Sequence, residues 1–217
     1  MLSTQLPVKN SNRNIIVDLL ETVVISLAIC MVIYLTLATP NQVEGQSMEP
    51  NFHNQELVFT NKVIQWLGET AFGQNLNYNY ERGDVIILHH GKTDLIKRII
   101  AKDGDTLRIS NNEVYVNGKL LDEYYIPINS RTYLPPNEEA LFQEGVTTRV
   151  PEGYYFVMGD NRENSRDSRF KDIGYISRHD IKGRVFFRYW PIDKLGIIRK
   201  GEYLEQSVTE INNNQKD

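Results

Sequence analysis

The sequence predicts a mainly β domain built of antiparallel strands, preceded by one N-terminal transmembrane helix. Three observations carry this expectation. Val23 to Ala38 is an uncharged run of 38 − 23 + 1 = 16 residues. From Val43 onward, short segments rich in β-branched and aromatic residues alternate with turn signals. Beyond the apolar run, few ten-residue stretches keep the 3.6-residue apolar spacing of a helix.

The chain has 217 residues, enough for one large or two small domains with a real core. A formal net charge of −4 leaves no basic footprint, so no nucleic-acid partner is expected. The single cysteine, Cys30, sits in the apolar run, which rules out an intrachain disulfide. A reducing compartment and an exported domain without disulfide staples both fit that.

Extending the apolar run back to Leu19 gives 20 residues that include only Glu21 as a charge. At ~1.5 Å per residue that length spans about 30 Å, the hydrocarbon thickness of a bilayer. Lys9 and Arg13 precede the run and the next basic residue is Lys62, so the N-terminus is expected on the cytoplasmic side. A cleaved signal peptide would have a shorter apolar core and a small-x-small site, which Thr36-Leu37-Ala38 before Pro40 matches poorly. A buried core helix would show a polar face, and none is evident. The expected organisation is a cytoplasmic tail over 1–18, an anchor over 19–38, a β-rich domain over 39–200 and a polar tail over 201–217. Residues 106–152 are expected as a small inserted β subdomain.

Strand candidates follow in order. They are Glu56–Phe59, Asp84–Leu88, Leu95–Ile100, Thr106–Ile109, Val114–Lys119, Tyr154–Met158 and Gly183–Pro191. Asn111-Asn112 suggests a hairpin turn. Residues 62–80, rich in Asn, Gln and Tyr with Trp66 and Phe72, read as a loop, either near a membrane surface or a plain surface excursion.

Chemistry can be sought in three places. Gly159–Arg169 has almost nothing apolar to bury, so it reads as a polar loop hung from a core strand, a frame for fixed groups. Gly45-Gln46-Ser47-Met48-Glu49-Pro50 offers a serine in a turn, which needs a base before it can act as a nucleophile. His53, His89, His90 and His179 have no convincing context as that base, and no His, Cys or carboxylate spacing suggests a zinc site. Lys97 interrupts an apolar strand and by period 2 shares a face with Leu95, Ile99 and Ala101. Burial of that face would lower its pKa and yield a neutral amine. The competing reading is an edge strand whose lysine points to water.

Together these residues resemble the type I signal peptidases, membrane-bound Ser-Lys proteases that remove signal peptides from exported proteins. The resemblance runs in order through Gly45–Pro50, Arg82–Ile87, Lys97–Ile100 with Gly104-Asp105, and Gly159–Arg169, behind a single anchor. It implies a signal-peptidase-like antiparallel β fold, with Ser47 as nucleophile and Lys97 as general base. It further implies that Ser165 hydrogen-bonds and orients the lysine, that Asp160 pairs with Arg98, and that Asp167 and Arg169 fix the polar loop. Where some members have a hydroxyl two residues before the nucleophile, this chain has Gly45, so backbone N–H groups of Ser47 and Gly45 are expected to form the oxyanion hole. Val43, Met48, Phe52, Ile87, Leu95 and Ile96 are candidates for pockets that take small side chains from a substrate bound as an added strand, though ordinary core packing explains each equally well.

The implied partners are signal-peptide-bearing preproteins and the lipid bilayer, close to the translocation machinery. The implied placement is single-pass, with the catalytic domain on the outer side and no cofactor. Asn51 in place of the usual threonine, and Lys102-Asp103 in place of a common Leu-Pro, are departures read as local loop variation. A self-cleaving Ser-Lys domain of the SOS-repressor kind would call for a preceding helix-turn-helix. The remaining alternative is a non-catalytic anchored β-domain acting as an envelope scaffold or inactive paralogue, against which intact Ser47, Lys97 and Ser165 argue.

Overall fold

The structure, a computed structural model, describes residues 15–36, 38–68, 70, 73 and 79–201. Most of the expected cytoplasmic tail, part of the 62–80 segment and the polar tail from 202 lie outside them. The chain divides into two units, residues 1–37 and 38–217.

The first unit is helix α1 (Ile15–Thr36), 22 residues and therefore about 33 Å long. Its side chains from Ile15 to Val32 are exposed all round, an arrangement unfavourable in water and favourable in lipid. The Thr22 and Ser26 hydroxyls donate to the carbonyls of Asp18 and Thr22, at 2.8 Å each, so these polar groups are satisfied within the helix. Ile15-Ile16-Val17 continue the apolar sequence past Asp18, which is why the helix starts before Leu19.

Among the described residues, the second unit holds twelve strands and a short α-helix. Along the chain come β1 (Ala38–Gln42), β2 (Leu57–Asn61), α2 (Val63–Leu67), β3 (Val85–His90), β4 (Thr93–Lys102), β5 (Thr106–Ser110) and β6 (Glu113–Val116). β7 (Lys119–Leu120), β8 (Thr148–Arg149), β9 (Tyr154–Met158), β10 (Ile176–Ser177), β11 (Ile181–Trp190) and β12 (Gly196–Ile197) complete it. The main sheet runs β1-β2-β11-β3-β4-β9-β10 with β12 on β11, and a second sheet runs β7-β6-β5-β8. Every pairing is antiparallel, as expected.

Each expected strand forms, shifted by a few residues at most, except that Val114–Lys119 is broken by a turn at Asn117-Gly118, both at positive φ, into β6 and β7. Asn111 and Asn112 take positive φ, 54° and 65°, and make the two-residue turn between β5 and β6. The sequence reading missed β1, because Pro40 argues against a strand. Its edge position removes the objection, since a missing N–H can face away from the ladder. Also missed were α2, inside the stretch read as loop, and four two-residue strands too short to show a period.

Three apolar clusters hold this unit together, at roughly 1.5–3 kcal/mol per fully buried aliphatic side chain. One packs Ile86, Leu88, Ile99, Val157 and Ile181 under the main sheet. Another joins Ile100, Phe156 and Met158 to Leu107, Ile109 and Val114, so the inserted sheet shares its core with the main one. The third, containing Val43, Met48, Phe52, Val58, Ile87 and Ile96, underlies the serine loop.

β4 is the strand that matters for the site. On one edge it pairs with β3 from Thr93 to Arg98. On the other, its ladder to β9 begins only at Arg98. Thr93–Lys97 therefore keep an open edge. A bulge between Ile99 and Ala101 also breaks the expected alternation that would have put Ala101 on the Lys97 face.

Candidate active site

Ser47 sits in a loop whose neck is closed by two backbone bonds, Val43 N–H to the Glu56 carbonyl and Gln55 N–H to the Val43 carbonyl, both 2.8 Å. Gly45 takes φ +84°, a conformation that favours glycine. Met48 and Phe52 are buried in the cluster beneath and are joined by a Phe52 N–H bond to the Met48 carbonyl, 3.0 Å. This leaves Ser47 half-buried at the surface of that cluster.

Lys97 enters the same place from the middle of β4. It is only 3% exposed, and its Nζ lies 2.7 Å from Ser47 Oγ while donating to the Ile96 carbonyl at 3.0 Å. The edge-guard reading of Lys97 is excluded by this burial. Desolvation lowers its pKa from 10.5 to about 8, against the pull of Asp167 and Asp160, with Arg169 assisting. At neutral pH about a tenth of the amine is then uncharged, orders of magnitude more than for a free lysine.

The polar segment after β9 is not a solvated loop. Asp160, Arg162, Ser165, Asp167, Ser168 and Arg169 are all buried, and partners satisfy nearly all of their polar atoms. Arg98 grips Asp160 with two bonds, 2.8 and 2.6 Å, and donates to the Gly83 carbonyl at 2.9 Å. Arg169 grips Asp167 in the same two-bonded way, at 2.8 and 3.0 Å. Burial works against the Asp167 carboxylate, yet Arg169 and the Gly159 N–H hold its pKa below the usual value. These two-pronged charge-assisted pairs fix geometry as well as charge. The segment also touches the serine loop directly, through Asn161 N–H to the Ser47 carbonyl at 3.0 Å and Asn161 Nδ2 to the Gln46 carbonyl at 3.1 Å.

Sequence reasoning missed Arg162 and the strap it holds. Its fully buried guanidinium donates to Glu123, to Thr132 Oγ1 at 2.6 Å and to the Gly159 carbonyl at 3.1 Å. Tyr133 completes the attachment, accepting Arg169 Nη1 at its carbonyl and donating its hydroxyl to the Glu163 carbonyl, both at 2.9 Å. Glu123 lies 39 residues before Arg162, and no periodicity links them.

Two expected roles do not match the geometry. Ser165 does not hydrogen-bond Lys97, whose amine is engaged by Ser47 and Ile96. Its buried Oγ lies near enough to Asp167 to help keep that carboxyl low, but not in hydrogen-bonding geometry. The Gly45 N–H is committed to Asn54 Oδ1 at 3.0 Å, so it is not available to an oxyanion in this state. The Ser47 N–H donates to no acceptor among the described residues.

Of the expected pocket residues, Val43, Met48, Phe52, Ile87 and Ile96 share the cluster beside Ser47 and Lys97. Leu95 instead packs, half-buried, against the cluster with Ile86 and Ile99. A groove of about 540 Å³ is lined by Pro40 and Gln42 of β1, by Thr93, Leu95 and Ile96 on the open edge of β4, and by Ile87. No histidine bonds Ser47. His89 meets Asp94 at 3.0 Å, and His53 lies 3.6 Å from Glu49.

Residues 16–190 match the family described as Signal peptidase, peptidase S26. The chain belongs to the S26 signal peptidases. It is therefore a protease, and enzymes of this kind act on preproteins that carry signal peptides. Signal peptidase I S of Bacillus subtilis (strain 168) is 32% identical over 185 residues, covering 85% of this chain and 95% of that protein. A signal peptidase I of Bacillus amyloliquefaciens is 35% identical over 173 residues, covering 79% and 83% respectively. A crystal structure of a signal peptidase I from Enterococcus faecalis V583 is 29% identical, with a TM-score of 0.40, and the match covers 49% of this chain and 96% of that one.

Proposed function

We propose that this chain is a membrane-anchored serine endopeptidase that removes N-terminal signal peptides through a Ser47–Lys97 dyad and an acyl-enzyme. The observation that supports it is the 2.7 Å approach of a buried, pKa-depressed amine to a serine hydroxyl. Neutral Lys97 accepts the Ser47 proton as Oγ bonds to the scissile carbonyl carbon. The developing oxyanion takes the open Ser47 N–H. The Lys97 ammonium then returns its proton to the leaving amine as the C–N bond breaks. A water, deprotonated by the same lysine, attacks the acyl carbon and releases Ser47 and the carboxylate product. Arg98–Asp160 and Asp167–Arg169 hold the two reacting groups in place, and Ser165 fills the space against Gly159.

The substrate lies as an added strand on the open edge of β4. Its alternate small side chains face the apolar cluster of Val43, Met48, Phe52, Ile87 and Ile96, with Leu95 at the groove wall. α1 spans the bilayer, with the N-terminus cytoplasmic and the catalytic domain on the outer side, near where preproteins leave the translocation machinery. The Lys9 and Arg13 bias before the helix supports that orientation.

The test uses full-length protein in detergent and a precursor with alanine at the first and third positions before the cut. Cleavage is expected from the wild type and from neither Ser47→Ala nor Lys97→Arg, since a guanidinium stays protonated in the working range. Undiminished cleavage by a folded Ser47→Ala protein would eliminate the nucleophile assigned here.

A further inference from the structure

Asn51 stands four residues after Ser47, where related enzymes were expected to carry threonine. Its side-chain amide donates to the Tyr125 carbonyl at 2.6 Å and to Asp160 Oδ2 at 2.8 Å. A carbonyl and a carboxylate can only accept, so the nitrogen must be the atom that faces them. A threonine hydroxyl has one hydrogen and can serve only one of the two. The Asn51 carbonyl in turn accepts Arg188 Nη2 at 2.9 Å, which ties the residue to β11.

Both acceptors belong to the machinery around the dyad. Asp160 holds Arg98, the residue next to Lys97 on β4. Tyr125 belongs to the strap that Glu123 and Arg162 clamp over the polar segment, and the Arg98 guanidinium lies over its ring at 4.2 Å. Asn51 is therefore where the serine loop, the strap and the base-bearing strand are joined.

We propose that Asn51 is a positioning residue for the Ser47–Lys97 pair, setting the distance between the serine loop and β4 by donating to Asp160 and Tyr125 at once. Asp167 and Asp160 favour the Lys97 ammonium, Arg169 disfavours it, and Arg98 neutralises Asp160 directly. Taking a donor away from Asp160 leaves more of its charge to act on Lys97, so the lysine should hold its proton to higher pH. The inference rests on Lys97 being the base proposed above, but its principal readout needs no cleavage.

In the full chain in detergent, the pH dependence of Lys97 modification by an amine-reactive reagent is followed residue by residue by mass spectrometry, beside steady-state cleavage of the alanine precursor. Asn51→Ala and the isosteric Asn51→Asp should each move the Lys97 titration to higher pH, the aspartate further. Each should lower kcat roughly 10- to 100-fold with a smaller change in KM. Asn51→Thr, with one donor left, should fall between them and the wild type. Thermal unfolding identifies any variant that has lost its fold, and Asn51→Asp keeps the side-chain shape should Asn51→Ala prove unstable. An unmoved Lys97 titration in a folded variant, or a loss confined to KM, overturns the proposal. A wild type that never cuts the precursor, yet shows the titration shift on substitution, would remove the peptidase mechanism and leave the positioning role standing.

Discussion

The backbone N–H of Asn161 donates to the carbonyl oxygen of Ser47 at 3.0 Å, so the segment after β9 holds the serine by its own main chain. Two residues earlier, Gly159 lets the same segment come close. A Cβ built there would lie 2.3 Å from both the Ser47 carbonyl oxygen and Ser165 Oγ.

Gly159→Ala should therefore displace the serine loop. Rotation of Ser165 would move its Oγ but not its Cβ, which would lie 2.6 Å away, and the Ser47 carbonyl is backbone with no such freedom. We expect a fall in kcat of roughly 100-fold and a loss of about 1–3 kcal/mol in stability, measured by precursor cleavage and denaturant unfolding. Near-wild-type turnover would mean that the contact is relieved without moving Ser47.

The pH dependence of cleavage follows from the state of Lys97. Its pKa is lowered to about 8 by burial, and only the deprotonated amine accepts a proton. The rate at low substrate should rise with pH through about 8 and level off above it. A limb near ~6.5 would assign the base to a histidine.

Lys97→Met should abolish cleavage while stabilising the fold at pH 7. There the ammonium is charged in both states, and the drop from 10.5 to about 8 corresponds to a folding penalty of about 3 kcal/mol, at ~1.4 kcal/mol per unit. Between those two values the unfolded chain binds a proton that the folded protein has released, so wild-type stability climbs with pH in this window. The advantage of Met should shrink across the same window. Thermal unfolding at pH 7 and 10 checks both halves, and a destabilised methionine variant would contradict them.

Glu123→Ala should be among the most destabilising single changes in the strap. It leaves the fully buried Arg162 guanidinium without its carboxylate, a loss of about 3–5 kcal/mol for breaking a buried pair from one side. Activity should fall with it, because Arg162 also braces the Gly159 carbonyl. Unfolding curves within ~0.5 kcal/mol of wild type would show that the strap contributes little.

The sheet and the two side chains that meet at Ser47 and Lys97 were legible in the sequence for different reasons. Strands such as Tyr154–Met158 announce themselves through local composition, and turn residues such as Asn111-Asn112 mark where they end. Lys97 was visible because a charge inside an apolar strand demands an explanation, although which way it pointed was settled only by its neighbours. Pro40 hid β1, since an edge position is a property of the sheet and not of the segment. The polarity of Gly159–Arg169 suggested exposure. Paired guanidinium and carboxylate groups can bury such a segment, and those pairings join residues too far apart in the chain to be read from it. Asn51 looked like an incidental variation for the same reason: its two acceptors lie 74 and 109 positions away.

β4 changes neighbours at Arg98, open before it and occupied by β9 from there on. A guest segment aligned on the vacant side would advance until β9 blocks the next rung, and Lys97 is the last residue before that barrier. With substrate bound as proposed, the sheet would work as a ruler with an end-stop: the point of scission would be metered by where β9 ends, whatever the length of the visiting peptide.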